Sequence, residues 1–271
     1  DAAAPAAAPA ASARRPAAGL QVENLVIGVD DDGPELVRGV TWSVEPGRVR
    51  GLVGESGCGK TVTSYAVLGL LTPGLSVRSG HVVWEGADLV ALGDAALARV
   101  RGHEIAFISQ EPTRALDPMF TIGWQLTVTV KRLRKVGGAE AKKIAEQLLT
   151  DVGIVDPPRV MRSYPHQISG GMAQRVAIGL ALAGTPRLLI ADEPTTALDV
   201  TVQAEILELL RQLVVTREMA IVLVTHDFGV VADLCDDVSV MYQGRIVESG
   251  TVRDVLLRPQ HEYTQRLLAS G

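Results

Sequence analysis

The chain has 271 residues, 47% of them hydrophobic and 21% charged. That is the balance of a globular protein with ample material for a core, in one large domain or two closely packed lobes. A net charge of −5 argues against a chain built to bind nucleic acid. Its two cysteines, Cys58 and Cys235, form neither a metal pattern nor a disulfide framework and fit a reducing, cytoplasmic location. No apolar run approaches the roughly 20 residues that span a bilayer.

Residues 1–19 are rich in Ala and Pro and carry Arg14 and Arg15. They lack the charged start and apolar stretch of a signal peptide, so a disordered leader or linker is expected. The chain begins at Asp1 rather than Met, as a fragment, a processed chain or part of a fusion would. Alternation in Leu20–Ile27 and a turn-rich stretch at 30–34 predict a small antiparallel sheet within 20–50.

Arg48–Val53 is a short apolar run. It leads into Gly54-Glu55-Ser56-Gly57-Cys58-Gly59-Lys60-Thr61, which satisfies G-x-x-x-x-G-K-[ST] at every fixed position. Glycines let such a loop aim backbone N–H groups at phosphate oxygens. Lys60 then suits the β- and γ-phosphates, and the Thr61 hydroxyl suits Mg²⁺. The chain uses five lysines against twenty-one arginines, so a lysine here suggests that its compact charge is needed. A helix is predicted from Thr61 to Leu71, stopped by Pro73-Gly74. Its N-terminus adds partial positive charge to a nucleoside triphosphate site. Cys58, beside Lys60 and that helix end, is expected to favour thiolate.

Further strands are predicted at His81–Trp84 and Glu104–Ser109, with Gln110 directly after the second. Residues 120–184 read as mainly helical, broken at Gly137-Gly138 and at Asp156-Pro157-Pro158. Ser169 is a natural N-cap before Gly170, Gly171 and a helix-compatible run, Ala173–Ala183. That segment is either a capped helix or a second anion site at a helix end. Leu188–Ala191 and Ala220–Thr225 are continuous apolar runs, as buried parallel strands are, with a helix-like stretch, 201–215, between them.

The phosphate loop, Gln110, Asp192-Glu193 and His226 each follow the C-terminal end of an apolar run, the edge where open α/β sheets bind ligands. Asp192 offers the carboxylate oxygen that Mg²⁺ prefers. Glu193 suits polarising a water for in-line attack on the γ-phosphate. His226 suits the γ-phosphate or the water. Gln110 is recommended by its position alone.

Together these features resemble the nucleotide-binding subunit of ATP-binding cassette (ABC) transporters over about residues 20–271. By that resemblance 54–61 is the Walker A loop, Gln110 the Q-loop glutamine and a Mg²⁺ contact, and Ser169-Gly170-Gly171 the signature motif. Leu189–Glu193 is the Walker B segment with its catalytic glutamate, Ala197-Leu198-Asp199 the D-loop, and His226 the switch histidine. The resemblance implies an α/β P-loop NTPase core with a small antiparallel β subdomain and a helical signature subdomain at about 111–184. It implies a dimer, homomeric or heteromeric, in which each ATP lies between one chain's Walker A loop and the other's signature helix. Membrane permease subunits and, indirectly, an extracytoplasmic solute-binding protein are the other implied partners. The location implied is the cytoplasmic face of the membrane.

Ser109–Pro112, Leu116-Asp117-Pro118, Thr121-Ile122-Gly123, Tyr164–Gln167 and His261–Leu268 resemble the peptide and nickel importers of that family. The group usually has Ser-Leu-Asn-Pro where this chain has Ala115–Pro118, and His-Pro-Tyr-Thr where it has Glu262. The alternative, a non-transport ABC ATPase of DNA repair or translation, commonly carries large insertions, and none is visible. A GTPase should show Asn-Lys-x-Asp, which is absent. The basic cluster Lys131–Lys135 reads as a solvated helix face, with contact to anionic headgroups as a minority reading. No Phe, Tyr or Trp occurs from Gln21 to Val40, so Val29 stands where the family stacks an aromatic on adenine.

Overall fold

The computed structural model describes residues 19–270 except Asp31, residues 112–114 and Ala197. The leader expected at 1–19, apart from Gly19, lies outside the described residues, as do Pro112 and the first residue of the Ala197–Asp199 segment. Strands β1 (Leu20–Val29), β2 (Glu35–Val44) and β3 (Val49–Val53) precede helix α1 (Lys60–Val67). Next come β4 (Leu75–Trp84), β5 (Ala87–Asp88), α2 (Asp94–Val100) and β6 (Ile105–Ile108). The helices α3 (Ile122–Arg134), α4 (Gly138–Asp151), α5 (Pro157–Arg162) and α6 (Gly170–Ala181) follow. After them run β7 (Leu188–Asp192), α7 (Val200–Arg217), β8 (Ala220–Thr225) and α8 (Phe228–Leu234). The described chain closes with β9 (Asp237–Tyr242), β10 (Arg245–Thr251), α9 (Val252–Leu257) and α10 (Glu262–Ser270).

Two sheets organise the molecule. One is antiparallel, in the order β2-β1-β4-β5. The other runs β10-β9-β3-β8-β7-β6 and is parallel throughout except for β10, which pairs antiparallel with β9. Every residue of β7 and β8 is buried, which is why both read as unbroken apolar runs. Their side chains alternate between two cores. Leu189, Ala191, Ile221 and Leu223 pack with the helices α3, α4, α6 and α7. Leu188, Ile190, Val222 and Val224 pack with β1, β2, β4 and α1. The parallel sheet is therefore the middle of three layers, and the C-terminal ends of β3, β6, β7 and β8 share one edge. The expected α/β P-loop architecture is what the chain adopts.

Local signals explain most boundaries. Thr121, Asp156, Ser169, Asp199, Asp227 and Thr251 each accept a backbone N–H as N-cap of the helix that follows, a role suited to short oxygen-bearing side chains. Helix α1 ends at Val67 rather than at Leu71. Gly69 turns left-handed at φ 60°, and the Arg101 guanidinium donates to the Leu68 and Gly69 carbonyls at 2.7 and 3.0 Å, satisfying the freed acceptors. Helix α6 begins at Gly170, earlier than Ala173, because the Ser169 hydroxyl accepts the Met172 N–H at 3.3 Å. The β9–β10 hairpin is not anticipated by the sequence reading. Its turn is Gln243-Gly244, with φ of 45° and 80°, the left-handed pair that a tight two-residue hairpin uses.

Candidate functional site

The phosphate loop spans the end of β3 and the start of α1. It approaches the end of β9 so closely that a Cβ on Gly54 would overlap the Met241 carbonyl; only glycine fits there. Helix α1 has no acidic residue in its first turn, so its N-terminal partial charge is left for a ligand. Lys60 is 5% exposed. Its ammonium donates to the Gly54 and Glu55 carbonyls at 2.7 and 2.8 Å and lies 3.8 Å from Cys58 Sγ.

Asp192 ends β7 and is 4% exposed. Burial pushes its carboxyl above the usual range, and a hydrogen bond from Thr61 partly opposes the shift. A buried carboxyl in contact with a hydroxyl, both oxygen donors, fits a hard divalent cation, which would restore the ionised form. Glu193 follows in the left-handed region at φ 48°, its N–H bound to the Val224 carbonyl at 2.8 Å. Its carboxylate collects three donors: Gln110 Nε2 at 2.8 Å and Thr196 Oγ1 at 3.0 Å on Oε2, with His226 Nδ1 at 3.0 Å from Oε1. Burial pulls this carboxyl upward, but the bonds from His226 and Thr196, with the charges of His226 and Lys60, hold it below the ordinary range.

A cavity of about 740 Å³ opens beside the loop and the Glu193 cluster. Gly54, Glu55 and Ser56 line it from the loop, Gln110, Glu193, Thr196 and His226 from the strand ends, and Leu267 and Leu268 from α10. The structure thus gathers Gln110, Glu193 and His226 beside the loop. Ser169, Gly170 and Gly171 do not line this cavity. Asp199 caps α7, accepting the Val202 N–H at 3.0 Å.

The expectation for Cys58 is corrected. The residue is 7% exposed, and burial raises its thiol pKa despite the nearby Lys60. The helix-end argument was outweighed by desolvation. Burial also raises Cys235 far above its ordinary value. Sequence reasoning missed Thr196, whose signal is its spacing: a turn joins its N–H to the Glu193 carbonyl at 3.2 Å. It also missed Tyr263, whose hydroxyl accepts the Glu55 N–H at 3.0 Å from a segment far along the chain.

Comparison with known proteins agrees with this geometry. Residues 37–196 match the family described as ABC transporter. A dipeptide transport ATP-binding protein of Bacillus subtilis is 44% identical over 254 residues, 93% of this chain and 76% of the relative. An oligopeptide transport ATP-binding protein of the same organism is 47% identical over 255 residues, 93% of this chain and 71% of the relative. Among solved structures, cbiO1 of Clostridium perfringens, part of an ABC transporter complex, superposes with a TM-score of 0.78 at 26% identity, covering 89% of this chain and 92% of that one. The dimeric, post-hydrolysis cassette MJ0796 bound to ADP and Pi gives 0.76 at 26% identity, covering 86% and 99%. A phosphate loop, a buried Asp192 and a Glu193 gathered by Gln110 and His226, on a chain so matched, place this protein in the ABC transporter family, among its ATP-hydrolysing subunits.

Proposed function

We propose that this subunit couples ATP binding and hydrolysis to the import of peptides or a related small solute through membrane permease subunits. The observation that carries the chemistry is the Glu193 carboxylate, held by Gln110, Thr196 and His226 on the sheet edge that bears the phosphate loop. The peptide assignment is supported by the two bacillary relatives, which are named for dipeptide and oligopeptide transport.

In this reading the loop from Gly54 to Thr61, with Glu55, Ser56, Gly57, Cys58 and Gly59 between, holds the phosphates. Lys60 exchanges its two carbonyl partners for phosphate oxygens. Thr61, Asp192 and Gln110 supply oxygens to Mg²⁺, which when bound neutralises phosphate charge. Glu193 accepts the proton of the attacking water, and His226 orients it. Ser169, Gly170, Gly171 and Asp199 act on nucleotide held by a second ABC ATPase subunit, which fits their absence from the cavity of their own chain. The dimeric MJ0796 cassette supports such a pair.

A permease contact is supported by exposed apolar side chains after the Gln110 segment: Met119, Phe120, Trp124 and Val128, with Phe120 stacked on Trp124 at 4.0 Å. Among the described residues no helix is long and apolar enough to cross a membrane. The subunit then sits peripherally at the cytoplasmic face, and a solute-binding protein outside is an indirect partner. Nucleic acid is not. The test is Lys60→Ala with co-purification from membranes. Mg-ATP binding should fall at least about tenfold, since charge-assisted contacts are lost, and a permease should accompany the wild-type chain. Unchanged binding would remove Lys60 from the site.

A further inference from the structure

The phosphate loop is fastened to a part of the chain some two hundred residues away. The Glu55 N–H donates to Tyr263 Oη at 3.0 Å, across a separation of 208 residues. Tyr263 lies on α10, is 2% exposed, and packs its ring against Tyr242 with centroids 4.1 Å apart. The entry to α10 is pinned as well. The N–H groups of Gln260 and His261 donate to the Glu248 carboxylate at 2.8 and 3.1 Å. The Tyr263 N–H donates to His261 Nδ1 at 3.1 Å. The Tyr263 hydroxyl is thus presented from a fixed frame.

The peptide unit joining Gly54 to Glu55 is held at both ends. Its carbonyl accepts the Lys60 ammonium at 2.7 Å, and its N–H is the one given to Tyr263. The unit is planar, so turning it breaks both bonds. Gly54 has φ 153° and no Cβ to hinder such a turn. When Lys60 leaves for a phosphate oxygen, the carbonyl loses its partner. The bond from the Glu55 N–H to the Tyr263 hydroxyl is the restraint on that plane that remains at its other end.

We propose that Tyr263 is a positioning residue of the nucleotide site: through its hydroxyl, helix α10 presets the first turn of the phosphate loop for ATP. This rests on the reading of Lys60 as a phosphate ligand. Tyr263 lies outside the span 37–196 that matches the family, so the tie belongs to the C-terminal part of this chain.

The test compares Tyr263→Phe with Tyr242→Phe in the full chain. Tyr263→Phe keeps the stacked ring and leaves the Glu55 N–H without its acceptor. Calorimetric titration should show Mg-ATP binding about three- to tenfold weaker, the range for one hydrogen bond with a part-buried amide. The KM for ATP should rise by the same factor, with kcat within about twofold, because Glu193, Gln110 and His226 are untouched. Tyr242→Phe removes a hydroxyl that accepts from Gln243 at 3.1 Å and should leave binding unchanged. Unaltered affinity in Tyr263→Phe, an equal loss in Tyr242→Phe, or a fall in kcat without a rise in KM overturns the proposal. Retained ATP binding in Lys60→Ala would sink this proposal and the site reading together. Loss in Lys60→Ala with none in Tyr263→Phe sinks this one alone.

Discussion

The substitution Glu193→Gln removes a negative charge and keeps the size of the side chain. The left-handed backbone at φ 48° is kept for either residue, so its strain cancels. Of the three donors on the carboxylate, Gln110 and Thr196 share Oε2, and His226 faces Oε1. The amide carbonyl of Gln fits toward the first two, and its NH₂ then meets His226 Nδ1, which accepts once the imidazole is neutral with its proton on Nε2. Gln110, Thr196 and His226 are exposed residues, so water replaces what is lost, and the fold should weaken by less than about 1 kcal/mol. That corresponds to a melting shift of about 2–4 °C at most for a chain of this size. Turnover is another matter. Losing a general base costs about 10²–10⁴ in rate, or roughly 3–5 kcal/mol of barrier. Phosphate release at saturating Mg-ATP, beside calorimetric titration of the same variant, separates the two: kcat collapses while affinity stays within about twofold. Turnover within about fivefold of wild type would place the proton acceptor elsewhere. A melting drop of ten degrees or more would mean that Glu193 supports the fold.

Mg-ATP should convert Glu193→Gln from monomer to dimer, read by light scattering, because Ser169–Gly171 do not line the cavity of their own chain and so are left for nucleotide on a second subunit; no change in mass would favour a heteromeric partner. Val29, at the end of β1, offers no ring to adenine. Val29→Tyr should therefore tighten ATP binding several-fold, consistent with the roughly 1–3 kcal/mol of a base–aromatic stack, and bare triphosphate should gain less. Equal or weaker ATP affinity would mean either that Val29 is away from the base or that another group already fills that role. His81 Nδ1 lies 2.7 Å from Asp88 Oδ2; this bond raises the His81 pKa, while for Asp88 the bonds from His81, Val82 and Val90 outweigh desolvation and lower it. The histidine contribution is full below about pH 6.5 and fades as pH rises through its raised pKa. The aspartate contribution is full above about pH 4 and fades as pH falls through its lowered one. The melting difference between wild type and His81→Gln should accordingly be largest between about pH 4 and 6.5; a difference that grows toward pH 9 would refute the pairing.

Elements whose burial is uniform were legible. β7 and β8 show as apolar runs because both faces of their sheet are covered, and the phosphate loop shows because its chemistry fixes residue types at fixed spacing. The β9–β10 hairpin hid because its inward positions include polar residues: Ser239 is fully buried and pairs its hydroxyl with Ser249 at 3.0 Å. Such a strand has neither a clean alternation nor a solid apolar run. Glu193 and His226 could be placed from strand ends, since topology delivers those ends to one edge. Thr196 and Tyr263 could not, because one acts through a turn and the other through a contact with Glu55 that the His261–Leu268 motif does not announce. Cys58 shows the opposite error: proximity to charge is readable in sequence, whereas desolvation depends on what the fold lays on top.

The two carbonyls that hold the Lys60 ammonium bear on how the subunit idles. A buried cation without partners would cost several kcal/mol, and a site left in that condition would cling to whatever anion relieved it. Here the loop solvates its own charge, so under the proposed role of Lys60 arrival of phosphate would be an exchange of partners and departure the same exchange reversed. Each direction then carries a small net free energy, and the balance can be tipped by modest differential contacts. For an ATPase that must empty its site once in every cycle, self-solvation of this kind would guard against product trapping.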